Sequence, residues 1–118
     1  MNGLDEFREW LQANGFKIER NNLNSSLNEC DWIAYRRTTG QTRECETNEG
    51  KLQIVVHPHL FSVHGKPHSS VETEITGEAD GRWYKLQQYG TSPAEFMENL
   101  PDIEKSLVNA WNAVMEVA

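Results

Sequence analysis

The sequence has no run of about 18 apolar residues, no excess of basic charge and only two cysteines. We therefore expect no membrane-spanning helix. Residues 1–6 contain no basic stretch followed by an apolar one, so we also expect no secretory signal peptide and predict a cytoplasmic protein. In a reducing compartment, Cys30 and Cys45 are expected to remain thiols.

The charge balance excludes another class of partner. Eleven basic and 18 acidic residues give a net charge of −7. Because binding to phosphate backbones requires clustered lysine and arginine, we expect no binding to nucleic acid, and binding to an acidic membrane surface is disfavoured for the same reason. The one basic group comprises Arg36, Arg37 and Arg43, and glutamates follow it in the sequence. We interpret it as solvated hairpin charge.

The size and composition are typical of one folded domain spanning residues 1–118. Hydrophobic residues make up 37% of the 118 residues, and four Trp, three Tyr and four Phe supply bulky side chains for a core. A chain of this length buries enough surface to fold around one core without disulfides or metals.

Helical spacing of apolar residues predicts a helix near each end. Leu4, Phe7, Trp10 and Leu11 define a first helix over about 4–13, which Gly15 ends in the left-handed conformation. A capping box at 92–95 predicts a short helix to about Asn99, and Pro101 then separates it from another helix. The apolar stripe of that last helix comprises Ile103, Leu107, Ala110, Trp111 and Val114.

Alternating and aromatic segments predict strands between the helices. We expect them at 16–19, 32–37, 51–57, 69–77 and 82–89, with a polar edge strand at 42–47 and a loop at 21–31. Pro58 is expected to end the strand at 51–57, because proline has no backbone N–H. The fold class is therefore α+β: an antiparallel four- to five-stranded meander sheet, with the N-terminal helix and two C-terminal helices packed on one face.

The last hairpin turns at Asp80-Gly81, a favoured two-residue loop. Such a loop pairs Ile75 with Leu86, whereas a four-residue loop pairs Ile75 with Tyr84. Both registers leave the same side chains on the core face, because a shift of two residues preserves the alternation. Those side chains are Val71, Thr73, Ile75, Tyr84 and Leu86.

All four histidines of the chain fall within twelve residues: His57, His59, His64 and His68. Imidazole is a common metal ligand, and two histidines two residues apart on a strand project to the same side. The segment could therefore bind zinc or another divalent transition metal, and the protein could be a metal-dependent enzyme. The alternative is a polar loop that happens to be rich in histidine, since the spacing matches no familiar zinc motif.

Other catalytic arrangements have less support in the sequence. Glu72 and Glu74 share a strand face and could pair with a nearby histidine, or they could form the solvated face of the sheet. Cys30 and Cys45 each lie between two acidic residues, which raise rather than lower the pKa of a thiol. The sequence also contains no phosphate-binding or nucleophile-elbow glycine motif. We therefore expect no catalytic residue.

Trp83 alternates out of phase with the predicted core face. A tryptophan on a sheet face beside Glu72, Glu74 and Lys85 has the composition of an interaction surface. The alternative is a second, smaller core that covers the indole. These observations favour a small acidic interaction domain of the adaptor, chaperone or inhibitor type. Its expected partner is another protein or a second copy in a homodimer.

Overall fold

The computed structural model describes residues 4–20, 32–38 and 52–117. Within these residues the chain forms two helices and five strands, which confirms the α+β class. In chain order they are α1 (Asp5–Ala13), β1 (Lys17–Arg20), β2 (Trp32–Arg37), β3 (Gln53–Val63), β4 (Lys66–Ala79), β5 (Arg82–Thr91) and α2 (Pro93–Val117). The predicted loop at 21–31, the predicted edge strand at 42–47 and both cysteines lie outside the described residues.

The sheet is an antiparallel meander, as predicted. Its strand order is β1-β2-β3-β4-β5, so each strand pairs with its neighbours in sequence. The last hairpin has the two-residue loop: Ala79 pairs with Arg82, and Ile75 pairs with Leu86. Asp80 and Gly81 adopt φ angles of 52° and 74°, the left-handed conformation that this short turn requires.

The strand β3 continues through Pro58, so the prediction that proline would end it is wrong. Pro58 is buried and lies opposite Val71 of β4. Pairing between β2 and β3 runs from Arg37 opposite Gln53 to Ala34 opposite Val56, and goes no further among the described residues. Among the described strands, Pro58 is therefore paired on one side only, so its missing N–H is tolerated as it is on an edge strand.

The helix α1 ends as its sequence predicts. Gly15 has a φ of 89°, and the Phe16 N–H donates to the Leu11 carbonyl oxygen at 3.0 Å. The Asn14 side chain also donates to the Trp10 carbonyl oxygen at 2.8 Å. These bonds satisfy carbonyls that a helix end leaves unpaired, and they turn the chain into β1 with Phe16 buried.

A single helix, α2, replaces the two predicted C-terminal helices. It begins where the capping box predicted, with the Glu95 N–H donating to Ser92 Oγ at 3.1 Å, and it continues through Pro101. Pro101 is exposed, whereas Phe96, Leu100 and Ile103 on either side of it are buried. Packing of one continuous apolar face therefore offsets the interruption that proline introduces, which costs about 3 kcal/mol in a helix interior.

Both helices bury their apolar sides in one core cluster. The members from the helices, together with Leu4 at the N-cap of α1, are Leu4, Phe7, Leu11, Phe96, Leu100, Ile103, Leu107, Val108, Trp111 and Met115. The sheet contributes one face, which includes Ile54, Val56, Val71 and Ile75. The predicted stripe needs two corrections: Ala110 and Val114 are exposed, and Met115 is buried. The inner positions of α2 follow the spacing of one long helix, which turns residue 115 inward.

A partly buried ion pair connects α2 to the sheet. Arg36 Nη2 donates to Glu104 Oε1, and the side chains of the two residues are 19% and 7% exposed. Arg36 lies opposite Ile54 in the register, so it shares the core face of the sheet. The interpretation of Arg36 as solvated hairpin charge is therefore wrong, while Arg37 is exposed as expected. In the described ranges, neither helix has both the length and the apolar character needed to cross a membrane.

Candidate functional site

The second face of the sheet, here called the open face, carries no helix among the described residues. Side chains alternate along each strand, so the residues between the core positions of β3, β4 and β5 all point to this face. It includes Val55, His57, His59, Glu72, Glu74, Thr76, Trp83, Lys85 and Gln87. Every residue that the sequence placed in an interaction surface therefore lies on one continuous face of the sheet.

Four of these residues form a polar group, here called the Glu74 cluster: Glu74, His57, Lys85 and Gln87. Gln87 lies directly opposite Glu74 on β5, and its Nε2 donates to Glu74 Oε1 at 3.0 Å. His57 and Lys85 reach Glu74 diagonally, with His57 Nε2 at 3.1 Å and Lys85 Nζ at 3.4 Å from the same oxygen. The register of the three strands thus places an imidazole, an ammonium group and an amide around one carboxylate.

Burial and neighbouring groups act on Glu74 in opposite directions. Its side chain is 5% exposed, and this burial by itself raises the carboxyl pKa. The close contacts with His57 and Gln87, and the charges of His57 and Lys85, favour the ionised form more strongly. The pKa of Glu74 is therefore held below its ordinary value of 4.5.

A depressed pKa limits the chemistry that the Glu74 cluster can support. A general base acts best when its pKa lies near the working pH, and environments that favour the carboxylate move Glu74 away from that range. All three neighbouring side chains also contact the same carboxylate oxygen, Oε1 of Glu74. These contacts favour a structural role, in which the cluster holds β3, β4 and β5 together.

The Glu74 cluster should make stability depend on pH. Because the pKa of Glu74 is lower in the folded chain, its contribution to stability is complete above the ordinary value of 4.5 and is lost as pH falls through the folded value. We expect the free energy of unfolding, measured by urea denaturation, to fall less between about pH 6 and about pH 3 in Glu74→Gln than in wild type. The matched control Glu72→Gln, whose side chain is 52% exposed, should follow wild type. An equal loss in Glu74→Gln and wild type would contradict this assignment.

The four histidines are spread along the β3–β4 hairpin. His57 contacts Glu74, and His59 Nε2 lies 3.5 Å from Glu72 Oε2. His64 occupies the turn with a φ of 51°, and the His68 ring stacks on Phe61 with centroids 5.7 Å apart. In the described part of the chain, no group of three or more His, Cys, Asp or Glu is placed to hold a metal ion. Metal binding by this segment stays a prediction.

Trp83 lies on the open face, as its alternation indicates. It is 59% exposed and lies opposite Glu78 in the β4–β5 register. Lys85, the next residue of β5 on this face, has a side chain that is 54% exposed. No described strand or helix covers the indole, so the second core that the sequence also allowed is not formed by the described residues.

The sequence did not predict the burial of Glu74 on the open face. Glu74 is buried, although its alternation with Glu72 suggested that both carboxylates are solvated. A signal was present in the Asp80-Gly81 loop, because the two-residue turn fixes Gln87 opposite Glu74. His57 lies on the strand predicted at 51–57, but its contact with Glu74 also depends on the register between β3 and β4, which the sequence did not predict.

Comparison with known proteins gives one partial match. The chloroquine resistance transporter of Toxoplasma gondii is 39% identical over 59 residues, which cover 48% of this chain and 7% of the transporter. The matched residues are about half of this chain and a small part of that protein, and the similarity does not establish a common family. No family model matches the chain. No solved structure matches it.

Proposed function

We propose that this chain is a protein-interaction domain of the adaptor, chaperone or inhibitor type, without catalytic activity, that binds a polypeptide through the open face. One observation carries the proposal: Trp83 is 59% exposed on a sheet face that no described element covers. Tryptophan is among the residues most enriched at the energetic centres of protein interfaces. A cytoplasmic location stays a prediction alongside it.

The charges around Trp83 suit a partner with the same pattern. Lys85 is exposed on one side of the indole along β5, while Glu78 faces Trp83 from β4 and Glu72 lies further along β4. A twofold interface uses the same patch on both copies, so a patch that carries both charges offers lysine and glutamate to each other across the axis. A second copy of this chain is therefore the occupant that the open face fits.

The proposal predicts that Trp83→Ala weakens self-association. We expect at least about a tenfold increase in the dissociation constant of the dimer, because truncation of an interface tryptophan removes a large desolvated contact. Sedimentation velocity over a range of concentrations measures this change. Thermal denaturation should show little loss of stability, since the indole is exposed in the single chain.

A matched control separates the open face from other exposed apolar groups. Val114 of α2 is 36% exposed and does not lie on the sheet, so Val114→Ala should leave sedimentation unchanged. If wild type stays monomeric at every concentration, the second copy is the wrong occupant. A large loss of thermal stability in Trp83→Ala with unchanged association would show that the indole serves folding.

The alternative from the sequence, a divalent-metal protein that uses His57, His59, His64 and His68, has weaker support. His57 and His59 each lie against a carboxylate rather than around a shared point. Carboxylates do orient ligating histidines in metal sites, but such a site needs three or four ligands that converge. No such group is found among the described residues.

A further inference from the structure

The strand β5 forms one of the two edges of the sheet. It pairs with β4 on one side, and no described strand pairs with its outer side. The opposite edge, β1, has four residues, of which Lys17, Glu19 and Arg20 are charged, whereas β5 has ten residues. Short, charged edges resist pairing with other chains, while long edges act as templates for it. The sheet can therefore be extended at β5.

The core side of β5 is covered less completely than that of β4. Tyr84 and Leu86 point to the core, and Leu86 lies opposite Ile75. Ile75 and Val71 of β4 are fully buried, whereas Tyr84 and Leu86 are partly buried. We attribute the remaining exposure to the outer edge of β5, beyond which no described strand lies. An additional strand would remove more of this apolar surface from water.

The turn before β5 determines which of its N–H groups face outward. Asp80 and Gly81 both have positive φ angles, the pattern of a type I′ turn, which closes with a hydrogen bond from the Arg82 N–H to the Ala79 carbonyl oxygen. Hydrogen-bonded pairs alternate along an antiparallel ladder, so every second residue from Arg82 bonds to β4. The residues between them direct their backbone N–H and C=O groups outward, and they are Trp83, Lys85 and Gln87.

A second copy of this chain can supply the additional strand. Two β5 edges related by a twofold axis run antiparallel, and core face continues into core face only if the axis lies at a residue rather than between two residues. An axis at Lys85 sets two lysines opposite each other, which is unfavourable. An axis at Tyr84 sets Trp83 of each copy opposite Lys85 of the other, and an ammonium group beside an indole is a favourable contact.

We propose that two copies of this chain join along the outer edge of β5, so that two five-stranded sheets become one continuous antiparallel sheet. Trp83 of each copy then lies beside Lys85 of the other on the open face. The inference rests on the proposed function, because it specifies how the second copy reaches Trp83. Main-chain hydrogen bonds supply affinity in this mode of binding, and the side chains determine the register.

Amide hydrogen exchange of the wild-type chain, followed by two-dimensional NMR, tests the proposal. It compares a dilute, monomeric sample with one in which sedimentation shows about nine-tenths of the chains as dimers, where the Lys85 N–H should exchange about tenfold more slowly because it gains a hydrogen bond. The outward amides of β1, the opposite edge, should exchange equally in both samples. Unchanged exchange at Lys85 in a chain that dimerises would overturn edge pairing and leave the proposed open-face dimer in place. A chain that stays monomeric overturns both.

A proline variant tests the main-chain bond directly. Lys85→Pro removes the outward donor and keeps the ladder to β4, because proline is tolerated where the N–H of an edge strand faces away from its neighbour. Its matched control, Lys85→Ala, removes the same side chain and keeps the N–H. We expect the dissociation constant of the dimer to be at least about tenfold higher for Lys85→Pro than for Lys85→Ala, since the dimer loses two hydrogen bonds.

Thermal denaturation shows whether Lys85→Pro remains folded. If it does not fold, the exchange of the Lys85 N–H in wild type decides the question. Equal dissociation constants in the two folded variants would overturn the proposal.

Discussion

Glu104→Ala is expected to lower the free energy of unfolding by about 3 kcal/mol. The substitution leaves the Arg36 guanidinium against the core without its carboxylate, and a buried charge that loses its partner typically costs about 3–5 kcal/mol. We expect the lower end of that range because the Arg36 side chain is 19% exposed, so water screens part of its charge. Urea denaturation followed by circular dichroism measures the change.

A double substitution tests whether the loss comes from the unpaired charge. Arg36→Leu/Glu104→Leu should be more stable than Glu104→Ala alone, because replacing both members of a buried pair with apolar residues is often close to neutral. Glu98→Ala, which removes an exposed glutamate from the same helix, should change stability by less than about 0.5 kcal/mol. A similarly small effect for Glu104→Ala would mean that the pair contributes nothing to the fold.

Phe96→Ala is expected to lower the free energy of unfolding by about 3–5 kcal/mol. Phe96 lies at the centre of an aromatic group, with ring centroids 5.5 Å from Phe7, 6.1 Å from Trp10 and 6.4 Å from Phe16. These neighbours come from α1 and the turn that follows it, so the substitution opens a cavity between the two helices. Chemical denaturation monitored by tryptophan fluorescence reports the loss.

The chain provides a matched control for Phe96 in a second phenylalanine. Phe61 is 42% exposed on the β3–β4 hairpin, so Phe61→Ala removes the same atoms without opening a core cavity. We expect a change within about 0.5 kcal/mol for Phe61→Ala. Comparable losses in the two variants would contradict the central position of Phe96. The free energy of unfolding of Phe96→Leu should lie between those of wild type and Phe96→Ala.

Local patterns predicted much of the sheet. In β4, Val71, Thr73 and Ile75 alternate with polar residues, and a period of two residues assigns each side chain to a face independently of the exact register. The Asp80-Gly81 turn was recognisable from its two residue types. Both signals act over a few residues, so they are visible in a single sequence.

The two prolines show where local rules fail. Pro101 indicated a helix break and Pro58 indicated a strand end, because each lacks the N–H that continues its element. The outcome at Pro101 depends on the core packing of Phe96, Leu100 and Ile103, and the outcome at Pro58 depends on which side of β3 has a partner strand. Neither fact is contained in the neighbouring residues.

The pairing of Arg36 with Glu104 was also not predicted, although the sequence pattern indicates the face on which each residue lies. Arg36 follows Trp32 and Ala34 at intervals of two residues on β2, which places it on the core face with them. Glu104 follows Leu100 by four residues and precedes Val108 by four, so it lies on the buried side of α2. Each position could be read from periodicity, but their pairing spans 68 residues and requires the tertiary fold.

The contact between α1 and α2 has a consequence for the order in which the chain can fold during synthesis. Each strand meets its neighbour soon after leaving the ribosome, because the meander pairs strands that are adjacent in sequence. Phe7 and Leu11 of α1 are made first, yet Phe96 comes from α2, which follows all five strands. A nascent chain therefore carries a growing sheet whose apolar face only α1 can cover until α2 emerges, and in that interval the exposed apolar surface favours aggregation.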